Sequence, residues 1–280
     1  MENLDQNNEK VRQLQLAELD ILKEVRDFCD KHEITYYLAF GTLLGAIRHQ
    51  GFIPWDDDID IFMKRPDYER FLQLAEELPS HLLVRTYHTS QLGKENFVLQ
   101  AKVEEKNRFV IRDTSGKRMK QRIWIDIFPI DGMPKTGLAR DLHWINIKYH
   151  FILCRIARSR IGHRSGPRPL IEKIAIAVTD RTNIRNRLDI EETFSRTEEV
   201  FRKYPVEKNS MVLGYATAYG KSTIVPRACF GIGKPLTFEG ELFNGPDDPD
   251  TLLKSWYGDY MQLPPPEMQV AKHCVDIITE

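Results

Sequence analysis

Apolar residues at Val11, Leu14, Leu16, Leu19, Leu22, Val25 and Phe28 recur near helical spacing, so residues 10–32 are expected to form an amphipathic helix. The next stretch changes period. "ITYYLAF" (34–40) is β-branched and aromatic and reads as a strand. Gly41-Thr42 interrupts it, "LLGAIRHQ" suits a short helix, and "GFIPW" is a turn punctuated by Gly51 and Pro54. "DIDIFM" (58–63) predicts a second strand, and "PDYERFLQLAEEL" (66–78) a helix with Pro66 in its first turn. Four short strand-like runs follow at 82–87, 97–103, 108–113 and 122–128, the last two of which flank the polar hairpin loop "DTSGKR".

Beyond "PIDGMPKTG" the pattern turns helical and basic through about residue 203, and the tail from Ser210 is rich in Gly and Pro. The expected class is therefore α+β. It comprises a mixed-sheet catalytic core with flanking helices (1–135), a basic helical region (136–209) and an irregular tail (210–280) that completes the substrate site. No internal repeat or low-complexity tract interrupts this division.

Composition changes little: 280 residues, 41% hydrophobic, net charge −1. The N-terminus lacks the basic-then-apolar form of a signal peptide, and no apolar run is long enough to span a bilayer. Four scattered cysteines (Cys29, Cys154, Cys229, Cys274) without a CxxC pair suit a reduced, cytoplasmic protein. The charge is uneven, however. Residues 140–187 carry eleven Lys or Arg against three acids, a net of +8, so the middle third is expected to face something anionic.

The most unusual chemistry lies at "WDDDIDIFM", with Asp56, Asp57, Asp58 and Asp60 inside five residues. Strand alternation puts Asp58 and Asp60 on one face and Ile59 and Ile61 on the other. Asp56 has the same parity but sits at the turn, and Asp57 should face elsewhere. Two carboxylates on one face repel, and a hard divalent cation relieves that repulsion. Magnesium is the expected ion, with manganese as the alternative. Asp126 in "WIDIFPID" is a third acid inside an apolar strand and needs a partner. If its strand lies beside the "DID" strand, the three acids form a site able to polarise a phosphoryl group and take a proton from an attacking hydroxyl. The plainer alternative is a solvated acidic loop. An EF-hand is excluded, because "DDDIDIFM" lacks the mid-loop Gly and the terminal Glu.

"FGTLLGAIRHQGFIPWDDDIDI", "WIDIFPIDGMP" and "WYGDYMQLPPPE", in that order, resemble the motifs of the LicD family, named for lipopolysaccharide cholinephosphotransferase and related to the fukutin-related proteins. The resemblance runs from about Tyr36 to the C-terminus and is weakest through the basic middle. It implies a nucleotidyltransferase-like fold. Gly41 and Thr42 would form the phosphate-cradling turn, Asp58 and Asp60 would be metal ligands, and Asp126 the third carboxylate, metal ligand and base. It also implies transfer of phosphocholine, or a similar phospho-alcohol, from CDP-choline or a related CDP-alcohol to a cell-surface glycan of the lipopolysaccharide or teichoic-acid kind. The acceptor would be lipid-linked at the cytoplasmic leaflet.

Further candidates each have a plainer reading. Arg48 and His49 could contact donor phosphates, or be an exposed helix end. Lys102 could reach a phosphate, or sit on a solvated strand face. Trp256, Tyr257 and Tyr260 could form a cation–π wall for a quaternary ammonium, with Asp259 as counter-charge, or pack as core. His273 and Cys274 are adjacent rather than metal-spaced. In 140–160, apolar residues rimmed by cations suit either a helix lying on anionic lipid or a core helix with a basic face. Nucleic acid is disfavoured for want of a binding motif. Two other functions stay open: nucleotidyl transfer to a small hydroxylated substrate, and a non-catalytic, fukutin-like nucleotide binder.

Overall fold

The computed structural model describes residues 2–92, 98–114, 117–158, 188–214, 220–270 and 275–279. The first helix, α1 (Glu2–Lys31), carries the expected apolar stripe and buries Leu14, Leu19, Leu22 and Val25. Strand β1 (Tyr36–Leu38) is shorter than "ITYYLAF" suggested, because the chain turns helical at Phe40 rather than after Thr42. Helix α2 (Phe40–His49) ends at Gln50, whose left-handed backbone closes the cap onto Gly45. Strand β2 (Asp60–Lys64) leads into α3 (Arg65–Gln73), which stops short of residue 78 and passes into a 3₁₀ turn.

Strand β3 (Leu82–Arg85) is followed by a long hairpin of β4 (Ala101–Thr114) and β5 (Lys117–Met133). The two runs read as separate strands at 97–103 and 108–113 are one strand, bulged between Glu104 and Phe109. A bulge keeps pairing while resetting the face of each side chain, which is why two patterns appear in the sequence. Helices α4 (Gly137–Arg158) and α5 (Ile190–Arg202) pack together; the basic residues 159–187 lie outside the described residues, as do His273 and Cys274.

The Gly- and Pro-rich tail is more regular than expected. It forms β6 (Met211–Gly214), β7 (Ile224–Pro226), the hairpin β8 (Lys234–Phe238) and β9 (Glu241–Gly245), helix α6 (Pro249–Tyr257) and β10 (Val275–Thr279). Eight strands make one mixed sheet in the path β1-β2-β5-β4-β10, with β3 also on β4 and β6-β7 continuing from β5. Only β2 and β5 run parallel; the other described ladders are antiparallel. The class is α+β with a mixed sheet, as the alternation of patterns predicted.

Both faces of the central strands are buried. Ile59, Ile61 and Met63 are fully enclosed on one side. On the other, Phe62 packs within 4.9–6.1 Å of Phe40, Phe128, Phe230 and Trp256. A second apolar cluster, built on Trp144, Ile147, Phe194, Phe201 and Leu213, joins α4 and α5 to the sheet. Beneath it Arg65 holds Asp131 through two bonds of 2.7 and 2.5 Å and also reaches Glu198 at 3.0 Å.

Candidate active site

The parallel pairing of β2 and β5 sets Asp60 directly opposite Asp126. Paired residues in a sheet project to the same face, so the two carboxylates stand side by side. Lys102 pairs with Asp126 across β5–β4, and Arg85 pairs with Lys102 across β4–β3. One row across four strands thus reads Asp60, Asp126, Lys102, Arg85: two acids followed by two cations. The next row is apolar, with Phe62 opposite Phe128.

Asp58 precedes β2 rather than lying inside it, yet the alternation holds. The Asp126 N–H donates to Ile59 O at 2.9 Å and the Ala39 N–H to Asp60 O at 3.0 Å, so the ladders already bracket the "DID" segment. Burial chiefly, then the charges of Asp57 and Asp126, push the Asp58 carboxyl up to about 6. The Asp60 carboxyl is also raised well above its usual range, by burial and then by Asp58 and Asp126.

Asp126 is held from three sides. Lys102 Nζ donates to Oδ2 at 3.2 Å, Trp124 Nε1 to Oδ2 at 2.9 Å, and Gln100 Nε2 to Oδ1 at 3.0 Å. Lys102 is buried, not on a solvated face, and lies 3.9 Å from the centre of the Trp124 ring. Burial lowers its proton affinity, against the pull of Asp126.

Thr42 is buried, and its hydroxyl accepts the Asp60 N–H at 2.9 Å, tying the first turn of α2 to the aspartate strand. A Cβ on Gly41 would meet the Asp56 carboxylate, so the Asp56 side chain rests against the start of α2 and a larger residue there would push it aside. Asp57 does face elsewhere: it is buried, and Arg112 reaches its carbonyl at 3.0 Å and its carboxylate at 3.5 Å.

The remaining candidates have contacts of their own. Arg48 Nη1 donates to Tyr260 O at 2.7 Å and binds α2 to the C-terminal turn, with His49 next to Trp55. Trp256 is core, packed on Phe40 and Phe62. Tyr257 is partly buried against the same core, Tyr260 donates its hydroxyl to Asp250 at 2.9 Å, and Asp259 is exposed. The three aromatics therefore form no continuous wall, because the helical turn of α6 sends Trp256 inward.

Besides Trp124 and Gln100, which hold Asp126, sequence reasoning missed Arg85, Arg112 and Glu18. Arg85 completes the charged row and also pairs with buried Glu104. Arg112 braces the aspartate loop and lies 4.6 Å from the centre of the Trp124 ring. Glu18 of α1 is buried and its carboxyl is raised well above its usual range, first by burial and then by Asp58. A lone glutamate inside the apolar stripe "LQLAELDIL" was the available signal for it.

Among the described residues no three His, Cys, Asp or Glu side chains converge into a ready-made metal cage. Magnesium does not need one, since one or two carboxylates and substrate phosphates commonly suffice. The hard oxygens and mutual repulsion of Asp58 and Asp60 fit such an ion.

The site is thus a mixed sheet with paired aspartates on adjacent parallel strands, flanked by cations. Residues 33–156 match the family model described as the LicD/FKTN/FKRP nucleotidyltransferase domain. The chain is 30% identical over 271 residues to the lipopolysaccharide cholinephosphotransferase LicD of Haemophilus influenzae, covering 94% of this chain and 96% of that protein. Over 62 residues, 22% of the chain, it is 42% identical to an uncharacterized protein of Rickettsia typhi and 39% identical to one of Rickettsia prowazekii, covering 20% and 23% of those proteins. The chain belongs to the LicD family and is a LicD-type transferase.

Proposed function

We propose that this protein transfers a phospho-alcohol, phosphocholine foremost, from a CDP-linked donor to a hydroxyl of a cell-surface glycan precursor of the lipopolysaccharide or teichoic-acid kind. The observation that carries the reading is the row Asp60–Asp126–Lys102–Arg85, in which acids and cations share one face of the sheet. The full-length similarity to a cholinephosphotransferase supports the choice of alcohol. A magnesium ion, when bound, would neutralise the diphosphate and polarise the transferred phosphorus. Asp58 and Asp60 are the residues to hold it, with Asp126 as the third carboxylate.

In the reaction the bond from phosphorus to the CMP oxygen breaks and a bond to the acceptor oxygen forms. Lys102 and Arg85 offset charge on the donor phosphates. Asp126, kept in one orientation by Trp124, Gln100 and Lys102, receives the proton of the acceptor hydroxyl. Gly41 and Thr42 fix the helix turn next to the aspartates, Arg48 closes the same helix against the turn at Tyr260, and His49 sits beside Trp55. An open groove of about 550 Å³ lies against the aspartate loop at Arg12, Gln15, Phe52 and Trp55, but none of Asp58, Asp60, Asp126, Lys102 or Arg85 lines it. A cytoplasmic enzyme meeting a lipid-linked acceptor at the membrane surface fits this chemistry.

The test is binding and turnover with CDP-choline, CDP-ribitol and CDP-glycerol, with and without Mg²⁺, on wild type and Asp58→Asn/Asp60→Asn. Metal-dependent binding of one donor, weakened in the variant and followed by CMP release, is the expected result. Pyrophosphate release from a nucleoside triphosphate would establish nucleotidyl transfer instead. Donor binding without turnover on any glycan would leave a nucleotide binder.

A further inference from the structure

The least explained feature outside the active site is the outer face of α4. Leu138, Leu142, Ile145, Tyr149 and Ile152 follow one another at steps of 4, 3, 4 and 3 residues. That spacing places all five on a single stripe about 21 Å long, at 1.5 Å per residue. All are exposed, from 40% for Ile152 to 77% for Leu138. The opposite face of the same helix is already used: Trp144, Ile147, Cys154 and Ala157 pack in the cluster shared with α5. The stripe is exposed from Leu138 to Ile152, whereas Ile156, next on the same side, is buried; a contiguous exposed apolar patch on the order of a few hundred Å² marks an interaction site.

The charges around the stripe decide between occupants. Beside the stripe stand Lys148 and Arg155, with Lys135 just ahead of the helix, and one acid, Asp141; at 3.6 residues per turn Arg140 and Arg158 fall on the opposite side. That acid is paired with Lys221 at 2.7 Å. A second copy laid stripe to stripe would bring two such cationic surfaces together, and paired helices favour opposite charges at the flanks. An anionic bilayer offers the complement to both features, apolar acyl chains for the stripe and lipid headgroups for the cations. Exposed Tyr149 in the middle of the stripe suits the interface, with an apolar ring and a polar tip. No described helix is long and apolar enough to cross a membrane, so the contact would lie in the plane of the surface.

We infer that α4 docks the protein on an anionic lipid surface, its stripe from Leu138 to Ile152 immersed and its cations at headgroup level. Because α5 and the sheet hold α4 from behind, docking needs no folding of the helix and little ordering cost. The inference gives a place to the acceptor class proposed above but does not depend on it, since docking requires neither donor nor metal.

The test is co-sedimentation of the whole protein with vesicles of phosphatidylglycerol and phosphatidylethanolamine, or of phosphatidylcholine alone, at low and high salt and without nucleotide or metal. The variant is Leu142→Glu/Ile145→Glu, which changes two exposed residues, with circular dichroism as the folding control. Wild type should bind the anionic vesicles more than the neutral ones, lose binding at high salt, and bind at least ~10-fold better than the variant. Three results would overturn the inference: no binding above background, binding unchanged in the folded variant, or a wild-type dimer in light scattering that the variant dissolves. The last would assign the stripe to a second copy. CMP release by a protein that ignores vesicles would sink the docking alone. Docking without any CDP-alcohol binding would sink the donor reading alone.

Discussion

Replacing Asp58 by Asn should stabilise the metal-free protein, contrary to the usual effect of changing a site residue. At neutral pH the ionised Asp58 is opposed first by its burial and then by Asp57 and Asp126, which together lift its carboxyl from the ordinary 3.8 to about 6. At about 1.36 kcal/mol per pH unit, the difference sets an upper limit of ~3 kcal/mol against folding. Asp58 keeps part of its surface open to water, and solvent screening brings the expected figure to about 1–2 kcal/mol. For a chain of this size each kcal/mol moves the midpoint by roughly 2–4 °C, so Asp58→Asn should melt about 2–8 °C higher in EDTA at pH 7.5.

The sign fixes the pH window. A carboxyl raised by folding binds more protons in the native state between 3.8 and about 6, so wild type loses stability as pH rises through that interval. The advantage of the variant should therefore fade by pH 4, where both proteins carry a neutral group. Magnesium should then reverse the order, raising the melting point of wild type more than that of the variant. Thermal melts by circular dichroism at pH 4 and 7.5, with EDTA or Mg²⁺, make the measurement. An Asn variant no more stable than wild type at pH 7.5 in EDTA, or equally favoured at both pH values, would refute the account of Asp58 as a charge held at a cost.

Three further substitutions test other parts of the site. Thr42→Val keeps the shape but leaves the buried Asp60 N–H without its acceptor, which should cost about 1–3 kcal/mol in urea unfolding and lower turnover as the aspartate strand loosens. Trp124→Phe removes the indole N–H from Asp126 Oδ2; donor KM should hold while kcat for CMP release falls roughly 10-fold, as expected for a bond that orients a reacting carboxylate. Asp131→Asn breaks the paired bonds to buried Arg65 at the far end of β5 and should cost about 3–5 kcal/mol in urea, with kcat per folded molecule unchanged.

What could be read from the sequence, and what could not, divides along the difference between local and cross-strand information. The face assigned to Asp58 and Asp60 follows from alternation, and Ile59 and Ile61 are indeed enclosed. That Asp126 lies beside them was an inference from an acid stranded among isoleucines, and the register of β2 on β5 satisfies it. Lys102 was visible as a candidate because its strand had been recognised, though not that it would be buried on Asp126. Arg85 was invisible: it ends a short run whose partner strand is set by the β4 bulge, and no local pattern encodes that register. The tail fails for a related reason. Its strands are three to five residues long, too short to show a period: β6 and β10 add to β5 and β4, β7 adds to β6, and among the described residues β8 and β9 pair only with each other. Helix α4 shows the converse case. Its double-sided apolar pattern is plain in the sequence, but only the packing of Trp144 and Ile147 on α5 shows which side folding consumes. The stripe from Leu138 to Ile152 is what remains exposed, and its partner is what the vesicle assay tests.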